Sequence, residues 1–113
     1  MSTAITFYRG DSYSKEFTIT DKDSGSAIDI SGYTFTLTVD SKQNPDTPST
    51  TEIFSVAGVI TDAANGKVTF TPTINNNDQT AKKYYYDVQM EDGSTKRTII
   101  KDTYTITQDI TKV

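Results

Sequence analysis

The stretch that decides the fold runs from residue 83 to residue 100 and reads KYYYDVQM, then EDGS, then TKRTII. Apolar and polar residues alternate on both sides of Asp92-Gly93, a pattern that predicts a β-hairpin. Successive side chains of a strand point to opposite faces, so every second residue from Tyr84 to Met90 shares one apolar face. We predict that this hairpin is the central element of a β-sandwich, with other strands packed on that face.

The length of the hairpin loop sets which residues face each other. A two-residue loop at Asp92-Gly93 pairs Tyr86 with Ile99, whereas a three-residue loop puts Ile100 on the Val88 face. Asp-Gly suits the tight type I′ turn, so we prefer the shorter loop.

A second clear alternation supports the sandwich. Large apolar residues alternate with Thr from Tyr33 to Val39, which predicts a half-buried strand. Shorter strands are expected within 4–8, 13–19, 27–30, 53–60, 67–71 and 103–107, with a bulge at Gly58 and a break at Lys101-Asp102. A single helical turn, capped by an Asn and with Ile74 inward, suits the polar segment 73–81. The predicted core residues are Tyr33, Phe35, Leu37, Val39, Phe70, Tyr86 and Val88.

These elements predict an all-β, antiparallel β-sandwich of seven to eight short strands. The 113 residues fit one domain, spanning 1–113. Residues 41–51 carry two prolines and no large apolar side chain, so we predict a flexible loop there. Residues 108–113 are expected to form a tail.

The composition argues against several classes of function. The chain has no Cys and no His, so it lacks the usual general base and the usual thiolate and imidazole metal ligands. The acidic residues are spread through turns, and we predict no enzymatic activity, no metal and no cofactor. The net charge of −4 and the absence of a basic stripe argue against nucleic acid as a partner. The apolar runs are too short to span a membrane.

Three short motifs have a functional and an ordinary interpretation. Arg9-Gly10-Asp11 matches the tripeptide of adhesion ligands, but Gly-Asp after a strand is common turn chemistry. The segment Asp21-x-Asp23-x-Gly25 is similar to the start of a calcium loop, but it lacks the closing bidentate Glu. We prefer a turn at both places.

The tyrosines are the third case. Rings of the run 84–86 that point outward could stack on sugars, whereas a buried ring whose hydroxyl bonds back to the preceding loop would be a tyrosine corner. We prefer core packing plus a corner. The candidate surface contacts are Tyr8, Tyr13 and Tyr85.

Several segments in a fixed order carry a family resemblance. They are YRGDSY at 8–13, AIDISGYTFTL at 27–37, VITD at 59–62, GKVTF at 66–70, YYYDVQ at 84–89 and the closing strand from Thr98 to Thr111. In this order they resemble the N-terminal domain of phage baseplate upper proteins and related tail or prophage proteins. The resemblance implies an immunoglobulin-like β-sandwich without catalytic residues, which docks a fibre or receptor-binding component onto the tail.

The first functional hypothesis is therefore a phage virion structural module in the tail or baseplate, made in the cytoplasm of the bacterial host. Its partners would be other phage tail or baseplate proteins, and the isolated domain would be monomeric or weakly self-associating. Two alternatives remain open. One is a carbohydrate- or cell-surface-binding module that uses the exposed tyrosines, and the other is an immunoglobulin-like spacer of a bacterial surface protein.

Overall fold

The computed structural model describes residues 4–10, 14–21, 23–45 and 51–107, apart from the side chains of Ile74 and Asn75. These residues form eight strands, one helical turn and a short 3-10 turn at Ala63–Asn65. The strands and the helix are β1 (Ile5–Tyr8), β2 (Lys15–Thr18), β3 (Thr34–Asp40), β4 (Glu52–Ala57), β5 (Val59–Asp62), β6 (Lys67–Phe70), α1 (Ile74–Asn77), β7 (Lys82–Glu91) and β8 (Lys96–Thr107).

The strands form two sheets, which confirms the predicted all-β sandwich. The larger sheet has the order β1-β8-β7-β3-β4, and the smaller has the order β2-β6-β5. The hairpin β7–β8 lies inside the larger sheet, as its sequence predicts. One pair departs from the antiparallel prediction, because β1 runs parallel to β8 with Ile5 opposite Tyr104. The first strand is far from the last one in sequence, and local patterns say nothing about its direction.

The core lies between the sheets and is built from the inward side chains of both. Of the predicted core residues, six are buried, and they are Phe35, Leu37, Val39, Phe70, Tyr86 and Val88. Tyr33 precedes β3 and is only half-buried, although it packs against the core. Phe17 of the small sheet reaches the large sheet, where its ring centroid lies 6.3 Å from that of Tyr86. An aromatic pair therefore joins the two sheets.

The preferred two-residue loop of the hairpin is wrong. Glu91 pairs with Lys96, so residues 92–95 form the connection, and Tyr86 lies opposite Asp102. The register shifts at a bulge between Val88 and Gln89, which brings Ile100 opposite Val88. The physical reason lies in the Asp92 side chain, whose Oδ1 accepts hydrogen bonds from the backbone N–H groups of Ser94 and Thr95 at 3.1 and 2.7 Å. These bonds stabilise a longer turn than the Asp-Gly dipeptide alone suggests.

Two further local predictions are wrong. The expected break at Lys101-Asp102 does not occur, because β8 is continuous from Lys96 to Thr107 and pairs with β7 through this point. Gly58 does not form a bulge within one strand. It is the point at which the chain passes between sheets, since Ala57 pairs with Thr36 in the large sheet and Val59 pairs with Thr69 in the small one.

The predicted helical turn is present as α1, but its cap differs. The hydroxyl of Thr73 accepts the N–H of Asn76 at 3.1 Å, and the Asn76 side chain accepts the N–H of Thr73 at 2.8 Å. This reciprocal arrangement has the logic of a capping box, with Thr in place of the predicted Asn. The Ile74 side chain, expected to point inward, lies outside the described part of the chain.

Asn77 at the end of α1 is fully buried, which is rare for an amide side chain. Its Oδ1 accepts a short hydrogen bond from the hydroxyl of Tyr104, which is also fully buried. The Tyr104 ring packs 5.4 Å from Phe7 of β1 and 5.7 Å from Phe54 of β4, measured between centroids. Tyr104 of β8 therefore packs against residues of both edge strands of the large sheet, β1 and β4, and it bonds to the helical turn α1.

Removing the Tyr104 hydroxyl tests this contact. We expect Tyr104→Phe to lower the free energy of unfolding by about 1–3 kcal/mol, because it leaves a buried amide oxygen without this donor. The matched control is Tyr8→Phe, which removes a hydroxyl from a side chain that is 56% exposed. Urea unfolding measures both. Equal stability of the two variants would contradict a stabilising role for the buried hydrogen bond.

A methyl group at position 58 tests the passage between sheets. A Cβ there would lie 2.8 Å from both Phe70 Cε1 and Val68 Cγ2, closer than van der Waals contact allows. We expect Gly58→Ala to cost about 1–3 kcal/mol by overpacking, measured by thermal or urea unfolding. Ser55→Ala, at an exposed position of β4, should leave stability unchanged. A Gly58→Ala variant as stable as Ser55→Ala would show that the two sheets separate easily at this point.

Candidate functional site

The outer face of the large sheet carries the outward tyrosines. Alternation within the run 84–86 buries Tyr84 and Tyr86 and leaves Tyr85 half-buried on the opposite side. Tyr8 points away from the core at the edge strand β1, opposite Thr107, and is 56% exposed. Tyr85 lies opposite Thr103. Two of the three candidate surface tyrosines therefore share a face, and Tyr13 lies outside the described residues.

Tyr84 forms the tyrosine corner that the sequence suggested. Its hydroxyl donates a 2.7 Å hydrogen bond to the backbone carbonyl of Thr80, four residues earlier. Burial raises the pKa of the Tyr84 phenol, and the positive charge of Arg9 acts in the opposite direction. Lys82 places its Nζ 5.0 Å from the centre of the Tyr84 ring. This ring is occupied by structural contacts and is not available as a stacking surface.

The two short motifs are used in local structure. Arg9 forms an exposed ion pair with Asp78 at 3.0 Å, and the N–H of Gly10 bonds to the carbonyl of Asn77. Asp11 lies outside the described residues, so the full tripeptide is not seen. In the other motif, Asp21 Oδ1 accepts the backbone N–H groups of Asp23 and Ser24, as in an Asx-type turn.

A groove lies on the outer face beneath the segment 42–45, which follows β3. It encloses about 140 Å³ and has more apolar than polar lining. Its lining residues are Thr38, Asp40, Lys42, Gln43, Pro45, Glu52, Tyr85, Tyr86, Asp87 and Lys101. A second cavity of about 270 Å³ adjoins it and shares Gln43, Tyr85 and Lys101.

The segment above the groove is held at both ends. Asp40 is buried, and its Oδ1 accepts hydrogen bonds from the N–H of Lys42 at 2.9 Å and from the hydroxyl of Thr51 at 2.6 Å. Further along, the Lys101 amine donates to the side-chain oxygen of Asn44 at 3.0 Å. Residues 46–50 lie outside the described residues, so the predicted flexibility of 41–51 stays a prediction.

Asp87 is one of five charged residues that line the groove, with Asp40, Lys42, Glu52 and Lys101. It lies opposite Lys101 on β8 and opposite Thr38 on β3. Burial raises the pKa of the Asp87 carboxyl, and the charge of Lys101 offsets only part of this effect. Within the described residues its carboxylate has no hydrogen bond and no ion pair. A half-buried carboxylate that has neither a hydrogen bond nor an ion pair is unfavourable for folding, and it is available to a ligand.

Asp92, on the same hairpin, shows the opposite effect. Hydrogen bonds from the backbone of Thr95 and Ser94 lower the pKa of its carboxyl. This carboxylate is therefore satisfied by its own turn. Asp92 therefore has a structural role in its turn, whereas Asp87 is a candidate for binding.

Neither a metal site nor a membrane helix stands out. Among the residues with described positions, no group of three or more His, Cys, Asp or Glu side chains is arranged to hold a metal ion. Within the same part of the chain, no helix has the length and apolar character to cross a membrane. The chemistry of the surface is that of hydrogen bonding, charge and aromatic contact.

A scan against protein families matches residues 1–82 to the BppU N-terminal domain. The chain belongs to this family. The match covers β1 to β6 and α1 and ends at the first residue of β7, so the Tyr-rich hairpin lies almost wholly beyond it. The family resemblance seen in the sequence is therefore confirmed, on the residues that precede the hairpin.

A solved structure extends the comparison to the hairpin. The N-terminal domain of phage TP901-1 ORF48 has 12% sequence identity to this chain and a TM-score of 0.51, and the match covers 93% of this chain and 85% of that one. At this identity the likeness concerns the fold. No curated protein matches the chain. As a BppU N-terminal domain, the chain is a phage structural module.

The pH dependence of stability tests the two aspartates. Because the folded-state pKa of Asp87 is raised, its ionisation destabilises the fold. This cost appears as pH rises through the ordinary aspartate pKa of 3.8 and is complete above the raised folded-state pKa. We expect Asp87→Asn to raise the melting temperature at neutral pH and to have a smaller effect below pH 3.8.

The control is Asp92→Asn. The lowered pKa of Asp92 means that its ionised form stabilises the fold. This stabilisation is complete above the ordinary aspartate pKa of 3.8 and is lost as pH falls through the folded-state pKa. We expect this variant to lower the melting temperature at neutral pH. If both variants shift it in the same direction, the environments assigned to the two carboxylates are wrong.

Proposed function

We propose that this domain docks one component of a phage tail onto another, so that a fibre or receptor-binding component is joined to the baseplate. The observation that carries the proposal is the match to the BppU N-terminal domain over residues 1–82. The similar solved structure is the N-terminal domain of a phage protein, which fits a module at the start of a longer tail component. The proposed site of action is the virion tail, after synthesis in the bacterial host cytoplasm.

The proposal includes an immunoglobulin-like fold in a single domain over residues 1–113. The strand order supports it, because β8-β7-β3-β4 facing β2-β6-β5 follows the G-F-C-C′ and B-E-D sheets of a variable-type domain. Tyr84 supports it too, since its hydroxyl bonds back to Thr80 at the start of the strand that corresponds to F. The pair of Phe17 and Tyr86 joins the two sheets through the strands that carry the disulfide in antibody domains.

The proposed mode of binding is surface contact, without catalysis or a cofactor. The outer face of the large sheet offers half-buried Thr, Tyr and Asp side chains from β3, β7 and β8. The edge strand β1 adds an exposed tyrosine on the same side. A stable docking contact buries about 1,200–2,000 Å² in total, which is more than the groove alone offers. The contact therefore extends from the groove over the neighbouring strands. The proposal also includes that the isolated domain is monomeric or weakly self-associating.

The carbohydrate hypothesis has one observation in its favour, which is that Tyr8 and Tyr85 share a face. The spacing of the two rings argues against it. The positions differ by four residues along β8 and by two strand spacings across the sheet, which is about 13 Å by about 10 Å. Two rings at that separation do not hold one sugar between them. A spacer role in a bacterial surface protein has no support from the family match.

Co-purification separates these functions. The tagged domain, expressed together with the tail proteins encoded beside it, should retain one of them through size-exclusion chromatography. On a glycan array the same domain should give no specific signal. The physical reason is that docking uses a large polar face, whereas glycan binding needs paired exposed rings.

The control variants for this experiment are Tyr8→Ala, Tyr13→Ala and Tyr85→Ala. A glycan signal that is lost in these variants, with no tail protein retained, would contradict the docking function. Retention of a neighbouring tail protein by the unmodified domain, with a blank array, is the result we expect.

A further inference from the structure

The groove on the outer sheet face holds a carboxylate that its nearest cation does not neutralise. Asp87 and Lys101 are directly opposite each other on β7 and β8, which is the usual arrangement for a cross-strand ion pair. The Lys101 amine instead donates to Asn44 Oδ1 at 3.0 Å. The Lys101 amine therefore forms no ion pair with the Asp87 carboxylate, although its charge still acts on that carboxylate.

The walls around Asp87 suit a long, positively charged side chain. Tyr85 borders the groove together with Pro45, and the lining has more apolar than polar surface. An aromatic face attracts cations and packs against the methylene stem that carries them. The carboxylates of Asp40 and Glu52 also line the groove. The available volume of about 140 Å³ is that of a side chain and not of a folded element.

We propose that this groove receives one lysine or arginine side chain of the docked tail protein, which pairs with Asp87 and packs against Tyr85. This inference rests on the proposed docking function and specifies where the partner is held. The chain carries a net charge of −4, so a basic partner surface is also favoured at longer range.

Other occupants fit the groove less well. An anionic ligand would meet three carboxylates, those of Asp40, Glu52 and Asp87, against two lysines, Lys42 and Lys101. Of these lysines, Lys101 already donates to Asn44. A neutral sugar would leave Asp87 without a counter-charge. A second copy of this chain would bring two negatively charged domains together. A basic side chain is the occupant that supplies the ion pair that Asp87 does not form within the described residues.

The direct test is a titration of the isotope-labelled domain with N-acetyl-arginine amide, followed by the backbone amide signals in NMR spectra. N-acetyl-citrulline amide is the matched neutral probe, with nearly the same shape and no charge. We expect saturable shifts at Tyr85, Asp87 and Lys101 with the arginine probe and not with the citrulline probe. Equal shifts with both probes would overturn the proposal.

Three variants make the test specific. Asp87→Asn should raise the dissociation constant of the arginine probe about tenfold, since a charge-assisted hydrogen bond is lost. Lys101→Met keeps the length and apolar stem but removes the competing cation, so the probe should bind more tightly. Asp23→Asn makes the same charge change in the distant Asp21–Ser26 turn and should have no effect.

Weaker binding to Lys101→Met, or unchanged binding to Asp87→Asn, would overturn the proposal. The same variants, used in co-purification, distinguish its failure from that of the docking function. If Asp87→Asn retains the tail protein as well as the unmodified domain does, docking stands and the groove is not the site. If the unmodified domain retains no tail protein, the docking function itself fails.

Discussion

The hydroxyl of Tyr104 donates a hydrogen bond to Asn77 inside a group of aromatic side chains, and this contact joins α1 directly to the centre of the large sheet. The ring touches Phe7 of β1, Phe54 of β4 and Tyr86 of β7, so four strands of the large sheet meet at one side chain. Asn77 in turn accepts the N–H of Gly10 through its backbone carbonyl. The position of α1, the end of β1 and the centre of the sheet are therefore set together, because a buried amide and a buried phenol each need a partner.

The sequence predicts the parts of this structure that depend on local alternation. The strand Thr34–Asp40 and the hairpin of β7 and β8 follow from the period-two pattern, since one face of each must be buried. The two-residue hairpin loop predicted from Asp92-Gly93 is wrong, because the Asp92 side chain bonds to the backbone of a longer turn. The turn preference of the Asp-Gly dipeptide does not include this hydrogen bond. No pattern in the sequence indicates that the Asn77 side chain is buried. It lies in the run Asn75-Asn76-Asn77, and only the fold shows which of these amides is buried.

The candidate site was predictable only in part. Alternation along β7 places Tyr85 and Asp87 on the outer face, opposite the buried tyrosines. The groove itself depends on contacts between distant residues, above all Lys101 with Asn44 and Asp40 with Thr51. Segment 41–51 has no large apolar side chain, and its sequence therefore suggests no packing. Side-chain hydrogen bonds hold its described residues Lys42, Asn44 and Thr51, and such bonds leave no periodic pattern in a sequence.

The inner faces of the two sheets form the core, and we propose that partners bind the outer face of the larger sheet. Lysine acetylation followed by mass spectrometry, on the free domain and on the assembled tail that contains it, measures this directly. Lys42 and Lys101 border the groove, whereas Lys15 and Lys67 lie on strands of the small sheet. We expect assembly to protect Lys42 and Lys101 from acetylation and to leave the acetylation of Lys15 and Lys67 unchanged. Protection of Lys15 and Lys67, with Lys42 and Lys101 still fully reactive, would contradict it.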